Sequence, residues 1–376
     1  MSKKSFVGLD IGGSGIRAAE VKGKPGAHKI VRAASVDLPP GVIVDGQIVD
    51  QSALVSALKK LWKSGKFSSK KVAFAVIDNG IMIRQMELPW MEEKDFNESL
   101  RYQVDDDLPV DVSSVELDHH RLGTIERTDE TGQSTSVNRI LLVAADRASI
   151  TAEAQAIRKA GLEPVAVDAP AFALIRAACG GDIPNDSAVR AVVDLGAEQM
   201  TLVIHQAGQP VFIRTISSIG GSAATKAVAD SLRMDAERAE ALKISTGLNG
   251  PAPIIAPVVE SAIFGASATP SAPQDPQAAA TIQALGPWAT AVVGEIRNSL
   301  EYFQASAGEA QLTDMTLVGR TVVLAGLRER IATEIGLPVL MMDPSIGLDT
   351  NKKLAKSSDS DSRLTVAVGL AMREAA

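Results

Sequence analysis

One short pattern occurs once in each half of the chain and limits the folds that the chain can adopt. An apolar run ends in aspartate, an aliphatic residue, glycine and a small residue at positions 10–13 (DIGG) and again at 194–197 (DLGA). The second copy is followed by MTLVI, whose apolar and β-branched residues predict a strand. Both copies are therefore predicted to be the tips of β-hairpins, where glycine lets backbone N–H groups converge on an anion.

Two other phosphate-binding patterns do not match the first copy. The dinucleotide fingerprint G-x-G-x-x-G needs a spacing that Gly12, Gly13 and Gly15 do not have. A P-loop needs Gly-Lys-Ser/Thr, and Arg17 does not supply that pattern. Two hairpins, one from each half, instead predict a clamp that holds the phosphates of a nucleotide from both sides.

Acidic residues accompany both hairpins. Asp10 and Asp194 each end the first strand of a hairpin. Because Mg²⁺ prefers oxygen ligands and keeps several waters, these two carboxylates are candidate ligands for a hydrated Mg²⁺ between the hairpins. Hydrolysis would also need a polar residue that orients water, and Asp10, Asp194 and Glu198 are the candidates for that catalytic role.

Composition narrows the class of partner. A chain of 376 residues predicts two or three domains. A net charge of −7 and an aromatic content of 3% argue against a nucleic-acid partner. The chain has no run of about 18 consecutive apolar residues, so no membrane span is predicted. Its first residues also lack the apolar run of a signal peptide. We therefore expect a cytoplasmic protein without direct membrane insertion.

Two stretches depart from the two-domain pattern. Residues 85–162 are predicted to form a small α/β module inserted into the first domain. Residues 249–280 are rich in Pro, Ala and Ser and have little periodicity, which predicts a flexible insertion or an elaborated loop. Helices predicted at 170–178 and 364–373 are rich in Ala or Gly, which would allow their backbones to approach closely.

Nine segments of the chain, in their order and spacing, resemble the actin-like ATPases. That group includes actin, the heat-shock chaperone ATPases, the sugar kinases and FtsA. Within that group they are most similar to the PilM family of type IV pilus assembly. The resemblance extends over nearly the whole chain except about 250–280. The segments that carry it are GLDIGGSGIR (8–17), LPPGVIVDGQIVD (38–50), MELPWM (86–91), DFNESLRYQVDDDLPVD (95–111), AGLEPVAVDAPAFALIRA (160–177), VVDLGAEQMTLVI (192–204), IGG (219–221), AERAEALK (236–243) and EIRNSLEYF (295–303).

The resemblance implies an α/β protein with the actin-like ATPase fold, in which two related RNase H-like domains carry an inserted small α/β subdomain. The subdomains are then expected at 1–84 with 163–188 (1A), 85–162 (1C), 189–221 with 312–376 (2A) and 222–311 (2B, with the insertion at 249–280).

The resemblance also implies that ATP and Mg²⁺ bind between the two domains. It assigns the following residues to the nucleotide site: Gly12, Gly13, Ser14, Gly15 and Ile16 in the first phosphate loop, Gly196, Ala197 and Glu198 in the second, Gly220 and Gly221 at a helix start, Glu240 and Lys243 facing the adenosine, and Gly319 with Arg320 in the adenine loop. The family usually has Gly-Gly in that loop. Arg320 either stacks on the base, contacts a phosphate or blocks the pocket.

The function implied by the resemblance is a scaffold, with slow ATP turnover at most. Such a protein binds the N-terminal cytoplasmic peptide of a PilN-like inner-membrane protein through a groove beside the inserted module, and is recruited to the inner face of the membrane. Self-association is a further possible interaction of such a protein. The alternatives are an FtsA-like filament-forming tether, which would end in a basic amphipathic helix, and an actin-fold ATPase or kinase, for which no sugar-site motif is found.

Overall fold

The computed structural model describes residues 6–24, 27–44, 46–77, 81–128, 132, 134–180, 186–249, 275–307, 311–342 and 362–373. The elements of the first half are β1 (Val7–Gly12), β2 (Gly15–Lys22), β3 (Lys29–Asp37), β4 (Ile43–Val44), β5 (Gln47–Ile48), α1 (Gln51–Gly65), β6 (Lys71–Ala75), β7 (Ile81–Pro89), α2 (Glu93–Val104), β8 (Val115–Thr128), β9 (Ser134–Asp146), α3 (Arg147–Lys159), β10 (Glu163–Asp168) and α4 (Pro170–Ala178).

The elements of the second half are β11 (Val189–Leu195), β12 (Gln199–Gln206), β13 (Gln209–Ser217), α5 (Gly221–Leu232), α6 (Ala236–Thr246), α7 (Pro276–Ala307), β14 (Leu312–Val318), α8 (Leu327–Ile335), β15 (Val339–Met341) and α9 (Thr365–Ala371). Short 3₁₀ helices lie at Val112–Ser114, Thr321–Val323 and Ser362–Leu364.

Two five-stranded sheets with equivalent topology form the frame of the molecule. The first has the order β10-β6-β1-β2-β3, and the second, read from its opposite edge, has the order β15-β14-β11-β12-β13. In each sheet the first strand of the half pairs antiparallel with the next strand and parallel with a later one. The two halves are therefore related domains, as the repeated pattern predicted.

The first sheet is covered on both faces. One face packs against α1 and α3 through an apolar cluster that includes Leu54, Leu58 and Ile157. The other face packs against α9, whose Ala367 and Val368 lie on the first hairpin. Since both faces are covered, β2 is buried at seven of its eight residues.

The inserted module is a three-stranded sheet in the order β7-β9-β8. Helix α2 covers it with Phe96, Leu100 and Val104. Helix α3, in contrast, packs into the core of the first sheet. The described module therefore runs from β7 to β9, whereas the expected subdomain 85–162 includes α3.

The second sheet packs on one face against α5, α6, α7 and α8, with Trp288 donating a hydrogen bond from Nε1 to the Ile219 carbonyl at 2.9 Å. Helix α7 starts at Pro276, so the end of the predicted insertion 249–280 is helical. Residues 250–274 of that insertion lie outside the described residues. In the described part of the chain, no helix is long and apolar enough to cross a membrane.

Helices α4 and α9 lie between the two sheets and approach each other closely, as their small residues predicted. They share one apolar cluster with the facing strands, including Leu174, Val192, Val318 and Leu370. Gly369 of α9 is so close to α4 that a Cβ placed on it would overlap the carbonyl oxygen of Ala173. The two domains are thus joined through a backbone-to-backbone crossing of these helices.

Candidate nucleotide site

The tips of the two predicted hairpins face each other. The first turns at Gly13 and Ser14, after the pair Gly12–Gly15 that ends the ladder between β1 and β2. The second turns between Leu195 and Met200, which form the last pair of β11 and β12. A Cβ placed on Gly13 would lie 3.3 Å from Cγ of Glu198. The prediction that both copies of the pattern are β-hairpin tips is confirmed. Both tips lie at one cleft.

The second hairpin tip is fixed by the start of α5. The N–H groups of Gly221 and Ser222 donate to the carbonyls of Gly196 and Ala197 at 3.0 and 2.8 Å. The N–H of Gly220 points at the carbonyl of Glu198 at 3.4 Å. The amides expected to face the nucleotide at Gly220 and Gly221 are therefore used to hold this hairpin.

The cleft between the tips has an outer and an inner part. The outer cavity has a volume of about 580 Å³ and the inner one about 110 Å³. Both are bordered by the same residues at the hairpin tips: Gly13, Ser14, Ala197 and Glu198. The hairpins therefore form a neck between a wide outer space and a narrow inner one.

The inner cavity is lined by carboxylates and by guanidinium groups. Asp10 and Asp194 both line it, as does Arg17. Arg17 donates to Asp10 Oδ2 at 3.3 Å and to Ser14 Oγ at 3.1 Å. Asp10 thus already has a cationic partner.

Both carboxyl groups are harder to ionise than ordinary aspartates. Burial raises the pKa of Asp10, although the neighbouring Arg17 guanidinium opposes that shift. Burial and the charge of Asp10 raise the pKa of Asp194 to about 7. Two carboxylates in one desolvated space repel each other, so this cavity favours a bound cation or proton.

We expect Asp194→Asn to stabilise the ligand-free protein at high pH. The pKa of Asp194 is 3.8 in the unfolded chain and about 7 in the folded protein. Between these pH values the unfolded chain has already lost this proton while the folded protein still holds it, so the free energy of unfolding falls as pH rises. The variant should melt about 3 °C or more above the wild type at pH 8.5. The difference should shrink at pH 5. Equal melting temperatures across this range would contradict the raised pKa.

Gly319 positions Asp194 from the loop after β14. Its φ is +100°, a left-handed conformation that favours glycine. A Cβ at this position would overlap Oδ1 of Asp194. Gly319 therefore contributes to the site by letting the backbone approach this carboxylate.

The outer cavity contains an ion-pair cluster on α6. Lys243 is buried and donates from Nζ to Glu240 Oε2 at 2.5 Å, to Thr225 Oγ1 at 2.8 Å and to the Gly221 carbonyl at 3.0 Å. Burial alone would raise the pKa of Glu240, but hydrogen bonds from Lys243 and Thr225 outweigh it and lower that pKa. Since an ammonium group has three donors, Lys243 is satisfied within the protein.

Arg320 bridges the mouth of the cleft. Its guanidinium lies 3.5 Å from Asp37 Oδ1 in the first domain and 3.9 Å from Glu240 Oε1 in the second. Its side chain lines both the outer and the inner cavity. The structure therefore places Arg320 at the junction of the two cavities, and it leaves the outer cavity open beside it.

The expected site residues do not all reach the cleft. Gly12, Gly196, Glu240 and Arg320 line it. Gly15 and Ile16 lie behind the first tip on β2, where Ile16 is fully buried in the core of the first sheet.

Sequence reasoning missed other residues at the site. Arg17, Ser222 and Thr321 line the cleft, and Thr321 Oγ1 donates to the Gly196 carbonyl at 2.8 Å. Ser222 Oγ donates to Glu198 Oε1 at 2.7 Å. Arg17 had a signal in the sequence, because a two-residue turn at Gly13–Ser14 puts it directly across from Asp10.

Two equivalent sheets, each with a hairpin tip at a shared cleft and a linking helix pair between them, define an actin-like ATPase fold. Within that class the chain belongs to the PilM family: the family model described as type IV pilus assembly protein PilM matches residues 8–262 and 273–375. The predicted fold class and the resemblance to this family are confirmed.

Solved structures agree with this assignment. The chain resembles one in the PilM-PilN type IV pilus biogenesis complex, with a TM-score of 0.81, 23% identity, and coverage of 100% of this chain and 99% of that one. It also resembles the ethanolamine utilization protein EutJ from Carboxydothermus hydrogenoformans, with a TM-score of 0.54, 15% identity, and coverage of 99% and 90%. At these identities the likeness concerns the fold.

Proposed function

We propose that this protein is an ATP-binding actin-like scaffold of the type IV pilus assembly machinery. The observation that carries the nucleotide part is the pair of facing hairpins, which divide one cleft into a wide outer cavity and a narrow inner one that contains Asp10 and Asp194. A nucleoside fits the outer part and a phosphate chain the neck. Membership of the PilM family supports the role in pilus assembly.

The outer cavity suits an adenosine. Leu38, Ile244, Val323 and Leu324 give it apolar walls, which is the usual lining of a small-molecule site. Glu240 can accept hydrogen bonds from ribose hydroxyls through its second oxygen. Lys243 supports Glu240 instead of facing the ligand, because its donors are already taken.

The inner cavity suits Mg²⁺. Asp10 and Asp194 supply oxygen atoms, the ligand type that Mg²⁺ prefers, and their mutual repulsion is relieved by a cation. We assign both residues to holding the hydrated ion. Mg²⁺ would neutralise phosphate charge, while Gly12, Gly13 and Ala197 hold the phosphate chain. The N–H of Gly196 is already donated to the Gln199 carbonyl.

The proposed partner is the N-terminal cytoplasmic peptide of a PilN-like membrane protein, which would recruit this protein to the inner face of the membrane. The PilM chain of similar fold was solved in a PilM-PilN complex. Strand β10 is an edge of the first sheet, and α3 connects it to the inserted module. Val165 and Val167 are exposed on this strand. An extended peptide can add to such an edge through main-chain hydrogen bonds.

The scaffold proposal is tested by titrating the purified protein with Mg²⁺·ATP in a calorimeter and following phosphate release in parallel. We expect binding with a Kd near the micromolar range, about −8 kcal/mol, and negligible turnover. Rapid phosphate release, or phosphate transfer to an added sugar, would favour an enzyme. Growth of filaments in light scattering would favour an FtsA-like tether.

The peptide site is tested separately with a fluorescent N-terminal peptide of the PilN-like protein. We expect Val165→Asp to weaken its binding about tenfold or more, because it puts a charge on the exposed face of the edge strand. Val49→Asp, at another exposed valine, is the matched control. Equal binding by both variants would exclude β10, and no binding by the wild type would contradict the partner assignment.

A further inference from the structure

The innermost part of the cleft contains a polar side chain that none of the foregoing roles explains. Gln199, the first residue of β12, lines the inner cavity and is 8% exposed. Its Nε2 is buried and has no hydrogen-bond partner among the described residues. A buried polar group without a partner destabilises the fold, so a residue of this kind points to a ligand.

The backbone of Gln199 is held firmly, which fixes the origin of its side chain. Its carbonyl accepts the N–H of Gly196 at 3.0 Å and closes the second hairpin tip. The residue also pairs with Ser217 in the ladder between β12 and β13. The side chain therefore starts from a rigid element beside the inner cavity and not from a mobile loop.

The hydrogen-bonding groups around the inner cavity differ in whether they already have a partner. Asp10 and Asp194 are acceptors when ionised, and the guanidinium of Arg17 donates to Asp10 and Ser14. Nε2 of Gln199 is a donor without an acceptor. The complementary group is a hydrogen-bond acceptor, which an anionic oxygen atom that reaches past the hairpin tips would supply.

We propose that Nε2 of Gln199 donates a hydrogen bond to the terminal phosphoryl group of a bound nucleoside triphosphate. With the nucleoside in the outer cavity, the phosphate chain passes the neck and its last group enters the inner cavity. The phosphates of a diphosphate end one group earlier, at the neck. Gln199 therefore makes the site selective for triphosphate over diphosphate, an inference that rests on the proposed nucleotide binding.

The test compares the affinities of Gln199→Met for Mg²⁺·ATP and Mg²⁺·ADP by calorimetry. A hydrogen bond to a charged group is strong, so we expect ATP affinity to fall about 10- to 100-fold, while ADP affinity changes less than about twofold. Without nucleotide, the melting temperature should stay level or rise, because methionine has a similar length and no unpaired amide. Gln206→Met, at the exposed end of β12, is the matched control and should change neither affinity.

A second variant separates the loss of the hydrogen bond from a packing effect of the methionine side chain. Gln199→Ala should show the same ATP-selective loss with a lower melting temperature. Equal losses for ATP and ADP, or no loss for either, would overturn the assignment of Gln199. Failure of the wild type to bind any nucleotide would overturn the nucleotide proposal itself, and the inference with it.

Discussion

Gly369→Val is expected to prevent the protein from reaching its native fold. The residue lies inside α9 where this helix crosses α4, and its Cα faces the backbone of Ala173. Any side chain would overlap a backbone carbonyl, which cannot rotate away as a flexible side chain can. Arg176 also donates from Nε to the Gly369 carbonyl at 2.9 Å, so a shift of α9 breaks this bond as well. We expect a loss of more than about 4 kcal/mol, at the severe end of single substitutions.

This expectation is checked by expressing the variant and recording its urea unfolding curve. The matched control is Gly294→Ala, a glycine inside α7 around which nothing lies within 4 Å of an added Cβ. That change should stabilise the protein by about 0.5–1 kcal/mol, because alanine favours helices over glycine. A folded Gly369→Val protein with the midpoint of the wild type would show that α4 and α9 do not cross as described.

The second large effect concerns the two acidic residues of the inner cavity. Asp10→Asn and Asp194→Asn should each weaken Mg²⁺·ATP binding about 100-fold, which corresponds to about 2.7 kcal/mol. Asparagine keeps the size of each side chain, and at position 10 it can still accept a hydrogen bond from Arg17. The expected loss therefore reports on the charge that attracts the metal ion.

In EDTA, the same titration should show no loss of ATP affinity in either variant, or a gain. Without Mg²⁺, a carboxylate repels the triphosphate, so each variant should bind ATP as well as the wild type does or better. Asp230→Ala, on the exposed far end of α5, serves as the control and should behave as the wild type in both buffers. An equal loss with and without Mg²⁺ would mean that these aspartates act on the fold and not through a metal ion.

The repeated hairpin pattern predicts the frame of this protein well because it is local. Strand, turn and strand lie within a few residues, and the apolar strands and glycine turns specify them directly. The same locality places Asp10 opposite Arg17, so this ion pair was within reach of sequence reasoning. The small residues of α4 and α9 likewise predicted a close helix crossing.

The remaining parts of the site depend on contacts between distant segments. Thr321 reaches Gly196 across 125 residues, and Arg320 reaches Asp37 across 283. No periodicity or propensity encodes such pairs. The hydrogen bonds of the Gly220 and Gly221 amides are of the same kind, because their acceptors lie in a loop more than twenty residues earlier in the chain.

The cover of the first sheet by α9 also shapes how this chain matures on the ribosome. The face of β1 and β2 that contains Gly8 and Ala19 is buried by a helix starting at Thr365, 357 residues after Gly8 (365 − 8). At translation rates of about 5–20 residues per second, that interval lasts roughly 20–70 s. For that time the apolar face of the first sheet lacks α9, the helix that covers it in the folded protein.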